Sequence, residues 1–223
     1  MNPLRSFASR TGAALSAALV VCAGLSPAGP ATAQSAAQPA AAPQTDLDRA
    51  VAALRSIETM QAAFTQSDRS GGRATGVMTL RRPGRIRFQY APGIPMLIVS
   101  DGSAMTFVDY ETRQVQRWPI RNSPLGALLD PSRDVKKYGR LIGTGDSAWV
   151  VIEVRDKSHP EFGVITLRFL RKPSAPGGLE LMGWVSLDAQ NRQTAIALSN
   201  QRYGIAVADN MFRFNDPRTP TRR

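Results

Sequence analysis

Between Thr45 and Phe64 apolar residues recur every three or four positions: Leu47, Val51, Leu54, Ile57 and Phe64, with Gln61 the one polar member of the stripe. Ala50, Ala53 and Met60 widen it, while Asp48, Arg49, Arg55 and Glu58 lie off it. This period predicts an amphipathic helix of about five turns that covers a sheet. Thr45 is placed to cap it, with Asp48 three residues on in a capping-box position.

After Ser70-Gly71-Gly72 the period drops to two. Val77–Leu80 reads as a short strand and Arg81-Arg82-Pro83-Gly84 as a turn. Arg85-Ile86-Arg87-Phe88-Gln89-Tyr90 alternates strictly, as a half-buried strand does. Further strands are predicted over 96–99, 104–110, 114–118, 149–154, 164–170, 179–187 and 194–198, with a weak one at Met211–Phe214. Asp101-Gly102 is a hairpin turn signal. Ser123-Pro124, followed by Leu125, Leu128 and Leu129, predicts a short helix midway, and 132–138 a further helical turn.

Strands do not alternate with helices, which argues against a parallel doubly wound sheet. About ten closely spaced strands with few helices predict an α+β, mainly β, fold: one curved antiparallel sheet or open barrel. Helices pack on one face, and an apolar ligand cavity remains wherever they do not fill the inside.

The N-terminus changes the picture. A start with Arg5 and Arg10 and no acid before Asp46, an apolar stretch over 13–25, and Ala31-Thr32-Ala33 form a secretory signal peptide ending at residue 33. The apolar stretch is short of the roughly 20 residues of a stable span. Cys22, the one cysteine, sits inside that stretch behind Val21 and is signal-peptide packing, not a lipidation site. Residues 34–44 are an uncharged Ala/Pro/Gln linker, 45–216 the folded domain and 217–223 a basic tail.

Charge and chemistry narrow the function. The 223 residues carry a formal charge of +11, and losing the signal peptide lowers it to about +9. Cationic residues are spread over strands and turns without a nucleic-acid-binding module, and export removes the usual nucleic acids. The excess is instead expected on a basic rim including Arg81, Arg85 and Arg87, facing anionic headgroups or an acidic partner. One Cys cannot make an intramolecular disulfide, a Cys-rich zinc site or an iron–sulfur cluster, one His leaves little room for a His-rich metal centre or a His-based triad, and neither a metal nor a cofactor is expected. His159, in Asp156-Lys157-Ser158-His159-Pro160-Glu161, reads as a hairpin loop without a nucleophile or orienting acid. Asp101 and Asp109 read as turn residues. No enzyme is expected.

One ordered set of residues resembles a known family. Phe64-Thr65-Gln66 is followed by Gly76, Arg82-Pro83-Gly84, an aromatic strand with Phe88 and Tyr90, and Val99-Ser100-Asp101-Gly102. A second aromatic strand, with Phe107 and Tyr110, and then Ser123-Pro124-Leu125 and Leu128-Leu129 complete it. Over about 45–216 this order resembles the LolA family of periplasmic outer-membrane lipoprotein carriers. The resemblance implies an unclosed β-barrel with a helical lid over an apolar cavity, and no covalent chemistry. It implies partners: outer-membrane lipoproteins bound by their acyl chains, an inner-membrane ABC-type lipoprotein-release complex, and an outer-membrane lipoprotein receptor. It also implies a monomer in the periplasm. Arg82, beside Pro83, corresponds to the arginine that bonds lid-helix carbonyls and holds the empty cavity closed. Ile86 takes a bulky apolar position where an aromatic is familiar.

The expected cavity residues are Met78, Leu80, Ile86, Phe88, Tyr90, Met96, Ile98, Met105, Phe107, Trp118 and Trp184, each of which could equally be an ordinary core residue. The lid residues are Leu54, Ile57, Phe64, Leu125, Leu128 and Leu129. Better-known members continue past their last strand with a segment that helps stop cargo returning. Here only a short tail follows Phe214, so the resemblance implies lid and cavity more than directional transfer. An alternative is a LolA-like lipid-binding or regulatory module that shuttles nothing.

Overall fold

The computed structural model describes residues 45–130 and 133–218. The signal peptide expected over 1–33, the linker over 34–44 and residues 219–223 of the tail lie outside them.

Helix α1 spans Asp46–Ser56. Its start is the expected capping box: Thr45 Oγ1 accepts from Asp48 N at 3.1 Å, and Asp48 Oδ2 accepts from Thr45 Oγ1 at 2.7 Å and from Thr45 N at 3.4 Å. Its end corrects the sequence reading. The helix stops after about three turns, and residues expected to continue it form strand β1, Thr59–Asp68. Met60, Ala62 and Phe64 are buried there, while Gln61 and Ala63 between them are only partly so. The segment 57–64 carries both periods at once. The strand wins because both its edges find partners: β1 pairs antiparallel with β2 on one side and β11 on the other.

The remaining strands are β2 Arg73–Arg81, β3 Arg85–Tyr90, β4 Met96–Asp101, β5 Ala104–Asp109, β6 Gln114–Pro119, β7 Gly139–Ile142, β8 Trp149–Arg155, β9 Val164–Arg171, β10 Leu179–Leu187 and β11 Gln193–Tyr203. They form one antiparallel sheet in the order β6-β5-β4-β3-β2-β1-β11-β10-β9-β8-β7. Strands β6 and β7 are its two edges, so the barrel is unclosed. Short helices α2, Gly126–Leu129, and α3, Val135–Tyr138, lie between those edge strands in the chain.

The fold class is as expected, with two further corrections. Strand β7 was not foreseen. Met211–Phe214 is not a strand: Asp209–Phe212 forms a 3-10 turn. Beyond Tyr203 the chain lies along the outer face of the sheet as a strap. There Phe212 is buried with Leu97, Val99 and Val108, and Val207, Phe214 and Val115 pack around them.

The inner face of the sheet and the helices share one apolar core. It unites Ala50, Val51, Ala53 and Leu54 of α1, Ala127, Leu128 and Leu129 of α2, and inward residues from most of the strands. Gly76 of β2 makes room within it: a Cβ there would stand 2.1 Å from Gln89 O and 2.7 Å from Phe64 Cε1.

Candidate functional site

The inner face is richest in aromatic rings around Phe64. Phe64 meets Phe88 and Tyr90 edge to face at 5.2 and 5.3 Å, and Phe88 meets Trp184 at 6.2 Å. Tyr90 donates its hydroxyl to Gln66 Oε1 at 2.7 Å. Burial pushes the Tyr90 phenol up to about 12, the Gln66 bond opposing it, so the ring stays neutral and apolar in character.

Of the residues expected to line a cavity, Met78, Leu80, Ile86, Phe88, Tyr90, Met105 and Trp184 are buried members of this core. Met96, Ile98 and Trp118 are half-buried against it. Phe107 is half-buried, opposite Ile98 in the β4–β5 ladder. Side chains of α1 and α2 belong to the same buried core. Trp118 also borders a cavity of about 590 Å³ between β6 and the β4–β5 turn.

The lid residues divide. Leu54 lies in α1, Ile57 caps its C-terminus, Leu128 and Leu129 lie in α2 and Leu125 caps it. Phe64 is a correction: it belongs to β1, on the sheet that the helices cover.

Arg82 ties the sheet to the end of α1. Its Nε donates to Ile57 O at 2.9 Å, and its backbone N–H donates to Glu58 O at 2.8 Å. Burial of the guanidinium, with the charge of Arg55 adding to it, lowers its pKa. The Arg82–Pro83 peptide is cis. The turn rests on its neighbour. Gly84 takes φ +69, and a Cβ there would stand 2.6 Å from Gly102 O. Buried Ser100 donates to Gly84 O at 2.7 Å and accepts from Gly102 N at 3.2 Å. Composition and period do not mark Ser100, which the sequence flags only within the Val99-Ser100-Asp101-Gly102 element; in the fold it is a polar residue at an inward position of β4.

The expected basic rim is a second correction. Arg81 donates to Val207 O at 3.0 Å and to Asp209 Oδ1 at 2.8 Å. Arg85 reaches the same carboxylate oxygen at 2.5 Å. Arg87 donates to Met211 O at 3.1 Å and to Arg213 O at 3.0 Å. All three hold the strap against the sheet, because its carbonyls and Asp209 supply acceptors at the spacing of alternate outward residues. The hydrogen bond from Arg85, with the two arginine charges, holds the Asp209 carboxyl below its ordinary pKa.

The remaining polar candidates serve turns. Asp101 Oδ1 accepts from Ser103 N at 2.8 Å and Ala104 N at 3.0 Å, and Asp109 Oδ1 from Glu111 N at 2.9 Å and Thr112 N at 3.0 Å. His159 lies in the β8–β9 loop with Nδ1 2.9 Å from Glu161 Oε1. Among the described residues no cluster of three or more His, Cys, Asp or Glu could hold a metal ion, and no helix is long and apolar enough to cross a membrane.

The site is an unclosed antiparallel sheet whose apolar inner face shares its core with helices, with α1 tied to the sheet by Arg82 at its end and by Arg171 of β9, which donates to Asp46 Oδ2 at 2.6 Å, at its start. Residues 55–215 match the family described as "Outer membrane lipoprotein carrier protein LolA". The chain belongs to the LolA family. It is 30% identical over 148 residues to an "Outer-membrane lipoprotein carrier protein" of Xanthomonas axonopodis pv. citri, spanning 63% of this chain and 68% of that one. It is 26% identical over 189 residues to a protein of the same name from Legionella pneumophila, spanning 78% and 88%. Among solved structures, a LolA superfamily protein from Nitrosomonas europaea superposes with a TM-score of 0.42 at 12% identity, covering 77% of this chain and 97% of that one.

Proposed function

We propose that this protein is a periplasmic carrier that takes up the acyl chains of lipoproteins leaving the inner membrane and delivers them to the outer membrane. In this reading residues 1–33 are a signal peptide cleaved after Ala33, 34–44 a linker and 45–216 the carrier domain. The partners are outer-membrane lipoproteins, an inner-membrane ABC-type release complex and an outer-membrane lipoprotein receptor.

The observation that carries the reading is the Arg82–Ile57 contact at the edge of a mainly apolar interior. An acyl chain gains roughly 0.8 kcal/mol for each methylene removed from water, so any opening that admits it to Met78, Ile86, Phe88 and Met105 is favourable. The empty protein must keep those side chains dry, and in this reading the helices that share their core do so. At the end of α1 the cover is held by one charge-assisted side-chain hydrogen bond, from Arg82, while Arg171 holds its start through Asp46, so the Arg82 end is the one that cargo would displace. Family membership and the names of the relatives support this reading.

The test is native mass spectrometry of wild type and Arg82→Leu purified from periplasm. Lipoprotein adducts, enriched in one of the two, are expected. Two cargo-free proteins, even when an active release complex is present, would sink the carrier reading.

A further inference from the structure

The outer face of the sheet is unequally covered. The strap lies over the β2–β5 half, with Arg81, Arg85 and Arg87 donating to its carbonyls and to Asp209. The other half carries a groove of about 480 Å³ across β1, β11, β10 and β9. Its floor is small: Thr65, Gly183, Ala195 and Ala197 among the lining residues. Its cations are Arg73 and Arg168, both exposed, and no acid lines it. Arg168 lies over the Trp149 ring, 4.9 Å from its centroid, so a flat cationic wall bounds the groove on that side. The acids near its end are engaged at turns. Asp68 Oδ1 accepts from Ser70 Oγ at 2.7 Å and Gly72 N at 2.9 Å, and Asp188 pairs with Arg192 at 2.7 Å.

We propose that this groove docks an extended acidic segment of a protein partner. Two observations select that occupant. The lining charge is of one sign, so it favours carboxylates. The strap half of the same face already shows a related mode: outward arginines hold a chain segment, which turns through Asp209–Phe212, by its carbonyls and by one aspartate. Small floor residues let another backbone come close, which a row of long side chains would prevent. The inference does not rest on the carrier reading, since it concerns the opposite face of the sheet from the apolar interior.

The test uses the mature protein and a short fluorescent peptide alternating Glu with Thr and Val, its Gln counterpart, inorganic phosphate, and phosphatidylglycerol vesicles. Anisotropy should show the Glu peptide bound and the Gln peptide bound at least several-fold more weakly. Arg73→Glu combined with Arg168→Glu should weaken the Glu peptide by about tenfold, the scale of two exposed charge pairs reversed. The milder Arg73→Gln, Arg168→Gln protein should fall between. Both positions are exposed, so circular dichroism should match wild type and the melting temperature should fall by no more than the loss of the exposed Arg168–Trp149 contact accounts for, and an Arg113→Glu, Arg121→Glu control should bind as wild type does. Equal binding of the two peptides, or a Glu-reversed protein that binds normally, overturns the proposal. So does binding of vesicles or phosphate through Arg73 and Arg168 when the peptide fails to bind, which would make the groove a headgroup or phosphate site.

Discussion

Replacing Arg82 with Leu removes one donor and leaves everything else in its turn in place. The Arg82 N–H bond to Glu58 O, 2.8 Å, is a backbone bond and survives. What is lost is the Nε bond to Ile57 O, 2.9 Å, beside a carbonyl whose residue is 1% exposed. A hydrogen bond from a charged group contributes about 1.5–3 kcal/mol net. Against that, leucine no longer carries a buried charge beside Arg55, the two causes that lower the Arg82 pKa. The balance is a loss of about 1 kcal/mol, felt at the end of α1. That corresponds to an opening equilibrium about fivefold larger.

Amide hydrogen exchange reads this locally. In Arg82→Leu the α1 amides of Ala53, Leu54 and Arg55 should exchange about fivefold faster, while those of β9 and β10 stay at wild-type rates. Unchanged α1 exchange would refute the idea that this contact fastens the helix. Uniform acceleration over helix and sheet would also refute it, because Arg82 would then be a general stability residue.

Other consequences are measurable. Gly76→Ala should lower stability by about 1–3 kcal/mol in thermal or denaturant unfolding, since its Cβ would stand 2.1 Å from Gln89 O and displace the Phe64 ring. The Asp209 carboxyl is depressed in the folded state, so its contribution is full above the ordinary carboxylate range and fades as pH falls through the folded value. The melting-temperature gap between wild type and Asp209→Asn should therefore be constant from pH 8 to about 5 and close below about 4. Tyr90 and Tyr203 are each pushed up to about 12, both chiefly by burial. A folded chain that holds those protons longer than the unfolded one loses stability as pH rises above about 10, and absorbance at alkaline pH should show two of the four tyrosines ionising late.

The strands were legible where burial alternates on one face, as in Arg85–Tyr90, because solvent on one side and core on the other write period two into the sequence. They were not legible where a second cause acted. Strand β7 is a short edge strand, Gly139-Arg140-Leu141-Ile142, with Leu141 exposed at 46%, so it leaves no alternation to read. The strap was invisible because its holding contacts join Arg81, Arg85 and Arg87 to residues more than 120 positions away. A run of arginines states its charge in the sequence but not which acceptor it meets. For that reason the rim expected at a membrane is a clamp on the protein's own chain. Seven of the expected cavity residues are buried and apolar as their pattern suggests, while Met96, Ile98, Phe107 and Trp118 are only half-buried. Which of them are covered by helix rather than by neighbouring strands depends on packing at a distance, and period carries no trace of it.

The length of α1 and the role of Arg82 turn out to be one question. A helix running from Thr45 to Phe64 would place the Ile57 carbonyl mid-helix, already bonded to the N–H four residues on. Arg82 would have nothing there to hold. Because the helix stops at Ser56 and Ile57 takes φ −81, ψ 95, the last carbonyls of α1 are left without helical partners. Ser56 Oγ satisfies one, donating to Ala53 O at 2.9 Å, and Arg82 satisfies the Ile57 carbonyl just beyond. A cation at a helix C-terminus is also favoured by the helix dipole. The same turn into β1 carries Phe64 onto the sheet, where it packs against Phe88 and Tyr90. Ending the helix early thus creates both the aromatic floor and the acceptor that fastens its cover. A variant that extends α1, such as Glu58 and Thr59 replaced by alanine, should weaken the Arg82 contact without touching Arg82 itself. If hydrogen exchange of α1 in that variant is slower than in wild type and Arg82→Leu adds its full fivefold on top, the link between helix length and fastening is wrong.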